Sequence, residues 1–237
     1  MEESKIKLSI IIPCYNEEKN ISLILNKFNE VIKTNEIEVI LVNNGSLDNS
    51  EAVFAELVPN YNFARVVKVE INQGYGYGIT SGLREAKSDF IGYTHADMQT
   101  DPADVIKAFD IIKNATNPKN TYVKGDRKKR KFLDQFFTTG MSIFETIYLR
   151  TSLWDINAQP NVFHRSFFEN LENIPKDFSL DLYLLYMARR KGLDVIRIDV
   201  FFPPRIHGES SWNTGLASKW KFIKRTMDFS VKLKKEL

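Results

Sequence analysis

Apolar residues fall in short blocks along this chain, separated by polar clusters at regular intervals. Leu8 to Ile12 is an unbroken apolar run rich in β-branched residues and stopped by Pro13, the pattern of a strand buried on both faces. After Asn16-Glu17-Glu18, the residues Ile21, Ile24, Leu25, Phe28, Val31 and Ile32 recur at helical spacing, with acids at the positive end of the helix dipole. Val39 to Val42 predicts a second buried strand, halted by Asn43-Asn44-Gly45, and Ser46 is placed to cap a helix running to about Leu57. Arg65 to Ile71 predicts a third strand, then a glycine-rich turn and a helix through Ala86. Phe90 to Thr94 predicts a fourth, and Pro102 suits the first turn of the helix after it. Strands alternating with helices in this rhythm predict an α/β fold, Rossmann-like, with a mostly parallel central sheet flanked by helices.

The second half is less regular. Lys124 to Lys131 reads as a basic loop, Phe132 to about Leu149 as a helix, and Asp155 to Val162 as a polar connector containing Pro160. Leu180 to Arg190 is an amphipathic helix with Gly192 placed to end it, and Val195 to Phe202 is a strand stopped by Pro203-Pro204. Leu216, Trp220, Ile223, Met227 and Val231 share one side of a C-terminal helix whose other side is lysine-rich. Its apolar stripe suits core packing, and its exposed end suits contact with an anionic membrane surface. With no repeat and no low-complexity linker, the expectation is a single domain over 1–237, with residues 1–115 and 116–237 as its two halves.

Composition narrows the class. The 237 residues suit one large α/β domain, and 43% hydrophobic with 27% charged residues is a folded composition. A net charge of +3 is too mild to imply nucleic acid. The single Cys14 excludes an internal disulfide, the N-terminus is too acidic for a signal peptide, and no run of about 18 apolar residues occurs. The chain is therefore expected in the cytoplasm, at the inner face of the membrane where its basic helix engages lipid.

The candidate chemistry sits where strands end, as ligands do in open α/β sheets. The four strands lead into Pro13-Cys14-Tyr15-Asn16-Glu17, Asn43-Asn44-Gly45-Ser46, Asn72-Gln73-Gly74-Tyr75-Gly76-Tyr77-Gly78 and His95-Ala96-Asp97-Met98-Gln99. One such cluster is ordinary turn chemistry; four together predict a binding cleft. The Gly-x-Gly-x-Gly spacing is wrong for a dinucleotide fingerprint, and no acid ends the second strand as NAD binding would require. A tight turn that lets the following helix approach a donor is the better reading of these glycines.

The elements IIIPCYNEEKNI, VNNGSLDNS, NQGYGYGITSGL and HADMQTDP, in this order, resemble the family-2 glycosyltransferases of the GT-A fold. GDRKKRKF at 125–132 and RIHGESSWN at 205–213 extend the resemblance to the polyprenol-phosphate (dolichol-phosphate) sugar synthases. The resemblance implies an inverting transfer from a UDP- or GDP-sugar donor to a polyprenyl phosphate. It places Pro13, Tyr15, Glu17, Asn44 and Gly76 at the nucleotide sugar, joined by Arg205 and Ser210 from a closing segment. It places His95, Asp97 and Gln99 at a divalent metal, and Arg127 and Arg130 at the acceptor phosphate. Asn44 stands where the family often has an acid, and His95 replaces the first carboxylate of the metal motif. Imidazole ligates Mn²⁺ more readily than Mg²⁺, so Mn²⁺ is the expected ion, with Asp97 indispensable. Asp181 falls at the family's catalytic acid: a base for a hydroxyl acceptor, an orienting group for a phosphate, which is already largely dianionic. Transfer to a glycan hydroxyl in cell-surface polysaccharide assembly is the alternative enzyme. The two replaced acids also leave open a nucleotide-sugar binding protein without catalysis.

Overall fold

The structure, a computed structural model, describes residues 6–128, 132–203 and 216–235. In chain order the elements begin with β1 (Leu8–Cys14), α1 (Ile21–Val31), β2 (Ile37–Asn44), α2 (Ser50–Leu57), β3 (Ala64–Val69), α3 (Tyr75–Glu85), β4 (Phe90–Tyr93) and α4 (Pro102–Lys113). They continue with β5 (Thr121–Lys128), α5 (Phe132–Leu149), β6 (Asn161–His164), α6 (Arg165–Glu169), α7 (Leu180–Arg190), β7 (Asp194–Phe201) and α8 (Leu216–Lys235). The strands form one seven-stranded sheet in the order β3-β2-β1-β4-β6-β5-β7. Neighbours β3, β2, β1 and β4 run parallel, β6 is antiparallel to both β4 and β5, and β7 pairs parallel with β5. Both halves of the chain thus contribute to a single sheet, mostly parallel as the alternation predicts.

The continuous apolar strands are explained by a core on each face. Ile11, Ile40 and Val42 pack with Ile79 and Leu83 of α3 and with Leu180 and Leu184 of α7. Ile10, Ile12, Val39 and Leu41, their strand neighbours, pack on the opposite face with Leu25 of α1, Phe54 of α2 and Phe109 of α4. Successive residues of a strand point to opposite faces, so a sheet covered twice needs apolar residues at every position. The chain moves from β1 outward to β3, then crosses to β4 on β1's other side. The strand order therefore reverses between β1 and β4, the place where ligands bind in open α/β sheets, outside the carboxyl ends of the strands.

Three local expectations are corrected. Helix α2 starts at Ser50 behind Asn49, not at Ser46. The Ser46 hydroxyl accepts from Asn16 N instead (3.1 Å), so it ties the loop after β2 to the loop after β1. The stretch expected as a basic loop from Lys124 is strand as far as Lys128, because β7 and β6 supply partners on either side. The connector read over Asp155–Val162 ends in β6, a four-residue strand whose antiparallel pairing has no local signature. Among the described residues no helix is long and apolar enough to cross a membrane.

Candidate active site

The loops after β1 and β2 hold one another. Asn16, in the left-handed region (φ 57°), accepts from Leu47 N (2.8 Å) while its own N–H donates to Ser46. Glu17 N donates to Ser50 Oγ (3.2 Å), and its carboxylate accepts from Asn20 Nδ2 (2.5 Å). Pro13 is half-buried, and Tyr15 stands exposed at the rim beside them. Pro13, Tyr15 and Glu17, named from the sequence for the nucleoside, are thus brought together at one loop next to the strand-order reversal.

Asn44 behaves differently. Only 3% exposed, it sits under α3, where Nδ2 donates to Gly74 O (3.2 Å) and its carboxamide fills the space that a side chain on Gly78 would occupy. Its Oδ1 is buried without a hydrogen-bond partner. A contact with a base requires a side chain on the cleft, and strand alternation turns this one into the helix instead.

The glycine-rich turn also faces inward. A Cβ on Gly76 would lie 2.5 Å from Pro175 O and 2.7 Å from Asp177 O, and one on Gly74 (φ 117°) would lie 2.5 Å from Lys176 O. Tyr77 N, in the first turn of α3, donates to Lys176 O (2.9 Å). The room made by the missing side chains, expected for a donor at Gly76, is therefore filled by the 175–177 segment. That segment presses on the helix start and satisfies one of its orphan donors.

Beyond β4, residues 94–101 curl back on themselves. Thr94 and Thr100 share a hydroxyl hydrogen bond (2.7 Å), Met98 takes a positive φ of 58°, and Asp97 Oδ1 accepts from Gln99 N (3.1 Å). Asp97 is 6% exposed. Gln99 Nε2 donates to Pro203 O (2.8 Å), anchoring the loop to the chain that follows β7. The His95 ring lies 5.8 Å from that of Tyr75, which stacks on Phe178 at 4.5 Å. His95, Asp97 and Gln99 therefore share one loop. Among the described residues no group of three His, Cys, Asp or Glu side chains converges on a common point.

Asp181 is 1% exposed at the start of α7, far from the solvent-facing acid that its helix position alone would suggest. Its Oδ1 accepts from Tyr93 OH (2.7 Å) and from Gln159 Nε2 (3.0 Å), and Gln159 Nε2 also reaches the Tyr75 hydroxyl (3.3 Å). Burial, then the Asp181 charge, drives the phenols of Tyr75 and Tyr93 well above their ordinary range, so both remain donors. Next to this cluster Lys124 is fully buried, and burial lowers its ammonium from 10.5 to about 7. Gln159, Asn161, Tyr93 and Lys124 were missed from sequence. Their signals, a lysine interrupting the apolar stretch Tyr122-Val123 and an amide pair around Pro160, acquire meaning only once β5 and β6 are paired.

Arg127 closes the far side. Its guanidinium lies against Asp155, with Nε donating to Oδ1 (3.0 Å) and Nη2 also bonding to Oδ1, while Arg127 N donates to Asp155 Oδ2 (2.8 Å). Both side chains are almost completely buried, at 7% and 5% exposure. The free fork expected for an acceptor phosphate is here occupied by a carboxylate. Arg130, Arg205 and Ser210 lie outside the described residues, as does His207.

Comparison with known proteins gives this geometry its family. Residues 9–171 match the model of "Glycosyl transferase family 2". A dolichol-phosphate mannosyltransferase of Pyrococcus furiosus is 25% identical over 211 residues, covering 86% of this chain and 59% of that protein. An undecaprenyl-phosphate 4-deoxy-4-formamido-L-arabinose transferase of Photorhabdus laumondii is 26% identical over 217 residues, covering 87% and 63% respectively. The chain thus spans about three-fifths of the length of these two relatives. Among solved structures, the glucosyl-3-phosphoglycerate synthase of Mycobacterium tuberculosis in complex with UDP superposes with a TM-score of 0.74 at 16% identity, over 96% of this chain and 79% of that one. That likeness carries the fold, an α/β architecture of the GT-A type. The matched stretch runs from β1 through β6 and takes in the cleft loops after β1, β2 and β4, and on that evidence the chain belongs to glycosyl transferase family 2.

Proposed function

We propose that this protein transfers a sugar, with inversion, from a nucleoside diphosphate sugar to a polyprenyl phosphate. The curated relatives are named for dolichol- and undecaprenyl-phosphate acceptors, and the M. tuberculosis synthase is described with UDP and Mn²⁺. The observation that carries the choice of acceptor is Asp181. A carboxylate that is 1% exposed and whose Oδ1 already receives Tyr93 and Gln159 is held by the protein's own donors, which suits an orienting group. A lipid phosphate needs no base, because its second pKa of about 6 leaves it largely dianionic. A glycan hydroxyl needs a base that it can reach, and Asp181 is buried.

In this reading the first half of the chain supplies the nucleotide site, with Pro13, Tyr15 and Glu17 at the nucleoside. The second half supplies the acceptor site and the polar cluster beneath it. Asp97, the Gln99 amide oxygen and His95 would hold a divalent cation. One carboxylate with two neutral donors is a sparse set, and it fits an ion that brings diphosphate oxygens and water as its remaining ligands. Bound there, the cation would stabilise the charge that develops on the departing diphosphate. The imidazole donor favours Mn²⁺ over Mg²⁺. An acceptor oxygen attacks the anomeric carbon from the face opposite the diphosphate, and the bond from that carbon to the diphosphate breaks. Arg127, paired with Asp155, braces the end of β5. The lysine-bearing side of α8 would meet an anionic membrane surface that presents the lipid.

Calorimetric titration with UDP and GDP, each with Mn²⁺, with Mg²⁺ and without metal, tests the nucleotide site and names its base. Transfer of radiolabelled sugar to farnesyl phosphate then tests the acceptor. In that assay Asp181→Asn keeps most of the rate if the acceptor is a phosphate, because the amide oxygen still accepts from Tyr93 and Gln159 and the orientation survives; abolished transfer would make Asp181 a base and favour the glycan hydroxyl. Failure of well-folded protein to bind either nucleotide would overturn the reading.

A further inference from the structure

The register of the sheet places three polar side chains in one row. Tyr93 of β4 pairs with Asn161 of β6, and Asn161 pairs with Lys124 of β5. All three are completely buried, in a part of the sheet otherwise lined by apolar residues. A hydrogen-bonded chain continues from them. Lys124 Nζ donates to Asn161 Oδ1 (2.7 Å) and to Ala158 O (2.8 Å). Asn161 Nδ2 donates to Gln159 Oε1 (2.6 Å), and Gln159 Nε2 donates to Asp181 Oδ1 (3.0 Å). Tyr122 OH adds a bond to Asn161 Oδ1 (2.9 Å), and Gln159 Nε2 also reaches Tyr75 OH (3.3 Å).

The direction of this chain is fixed by its ends. As an ammonium Lys124 has only donors, and a carboxylate has only acceptors. Asn161 must therefore turn its oxygen to Lys124, Gln159 must turn its oxygen to Asn161, and the remaining amide nitrogen must point at Asp181. Two amide dipoles are thus aligned head to tail between a buried cation and a buried anion that do not touch. A buried charge without compensation is strongly unfavourable, and here each end compensates the other through the amides. The roles already assigned leave Lys124 without a purpose.

We propose that Lys124, Asn161 and Gln159 form a positioning relay that holds Asp181 and the Tyr75 ring in the orientation required for transfer. The relay reaches the reaction only through Asp181 and Tyr75, whose ring packs between Phe178 and His95 and so joins the acceptor side to the candidate metal loop. The inference rests on the proposed transferase activity for its kinetic consequences, and on the structure alone for its energetic ones.

Two arms test it. In the first, Lys124→Met, Gln159→Leu and the double variant are assayed for UDP or GDP release from UDP-glucose and GDP-mannose, with Mn²⁺ and farnesyl phosphate. Each single variant is expected to lower kcat about 10- to 100-fold while KM for the donor stays within about twofold. The double variant should be no slower than the worse single one, because either cut breaks the same chain. Multiplying losses, or a rise in KM with kcat unchanged, would overturn the relay. In the second arm, urea unfolding is compared for Lys124→Met, Asp181→Asn and the combination. Removing the aspartate charge should recover about tenfold of the folding constant lost with the lysine, whereas simply additive losses would reduce Lys124 to a packing residue. This arm needs no turnover. Wild-type protein that releases no nucleotide counts against the transferase reading, and the unfolding cycle still decides the relay.

Discussion

Arg127 and Asp155 form a buried ion pair in which the carboxylate receives both the guanidinium and the Arg127 backbone N–H. The pair joins the end of β5 to the segment leading into β6, and Arg197 of β7 braces the same corner by donating to Gly125 O (2.8 Å). Removing one member strands the other charge in the interior. Asp155→Ala should therefore lower the unfolding free energy by about 3–5 kcal/mol, measured by urea denaturation. If the loss is under about 1 kcal/mol, the pair is a solvated contact and the corner is held by packing.

Asp97 is the one carboxylate among the three candidate metal ligands. Asp97→Asn is expected to abolish the metal-dependent part of nucleotide binding and leave the metal-free part within about twofold, read by calorimetry with UDP and GDP. His95→Ala should weaken binding in Mn²⁺ more than in Mg²⁺, since imidazole contributes more to the softer ion. Equal losses in the two metals would remove His95 from the ligand set.

Glu145 of α5 is fully buried against Ser230 of α8, whose hydroxyl donates to Oε2 (2.5 Å), and its Oε1 has no hydrogen-bond partner. Burial raises this carboxyl from 4.5 to about 7, with the Ser230 bond opposing the shift. A carboxyl whose pKa is raised in the folded state binds more protons folded than unfolded. Its stabilising contribution is complete below about 4.5 and is lost as pH rises through about 7. Melting temperature should therefore fall between these values in the wild type and fall less in Glu145→Gln. Identical pH profiles for the two proteins would show that the carboxyl is solvated.

Gly76 and Gly140 make a contrasting pair. Gly76→Ala drives a Cβ into the carbonyl oxygens of Pro175 and Asp177, so it should destabilise by about 1–3 kcal/mol and weaken transfer by displacing Tyr75. Gly140, within α5, has nothing within 4 Å of where its Cβ would be. Gly140→Ala should stabilise by about 0.5–1 kcal/mol through helix propensity alone. Thermal denaturation of both variants checks the pair, and stabilisation by Gly76→Ala would mean that the 175–177 segment does not press on α3.

The first half of the chain was legible because its signals are local. The runs Leu8 to Ile12 and Val39 to Val42 are apolar at every position, as a doubly covered parallel strand must be, and the helices between them carry their own period. The polar clusters after β1, β2 and β4 follow from the same reading, since strands end where their apolar runs end. The motifs there also carried the resemblance to the family, which the match over residues 9–171 established.

Pairing across the sheet decided the rest. Whether Lys124 lies in a loop or a strand depends on β6 and β7, which are distant in sequence, and a four-residue antiparallel strand such as β6 has too few positions to show a period. Side-chain direction is equally nonlocal. Asn44 faces α3 because Gly78 leaves room there, Gly76 serves the 175–177 segment because that segment packs on it, and Arg127 is engaged because Asp155 folds against it. The sequence by itself determined the α/β alternation, the two-faced core and the position of the candidate cleft, all consequences of local periodicity and of where it stops. Only the tertiary structure decided which polar residues face that cleft and which compensate one another inside, because burial and hydrogen-bond partnership are properties of contacts between segments that the order of residues does not bring together.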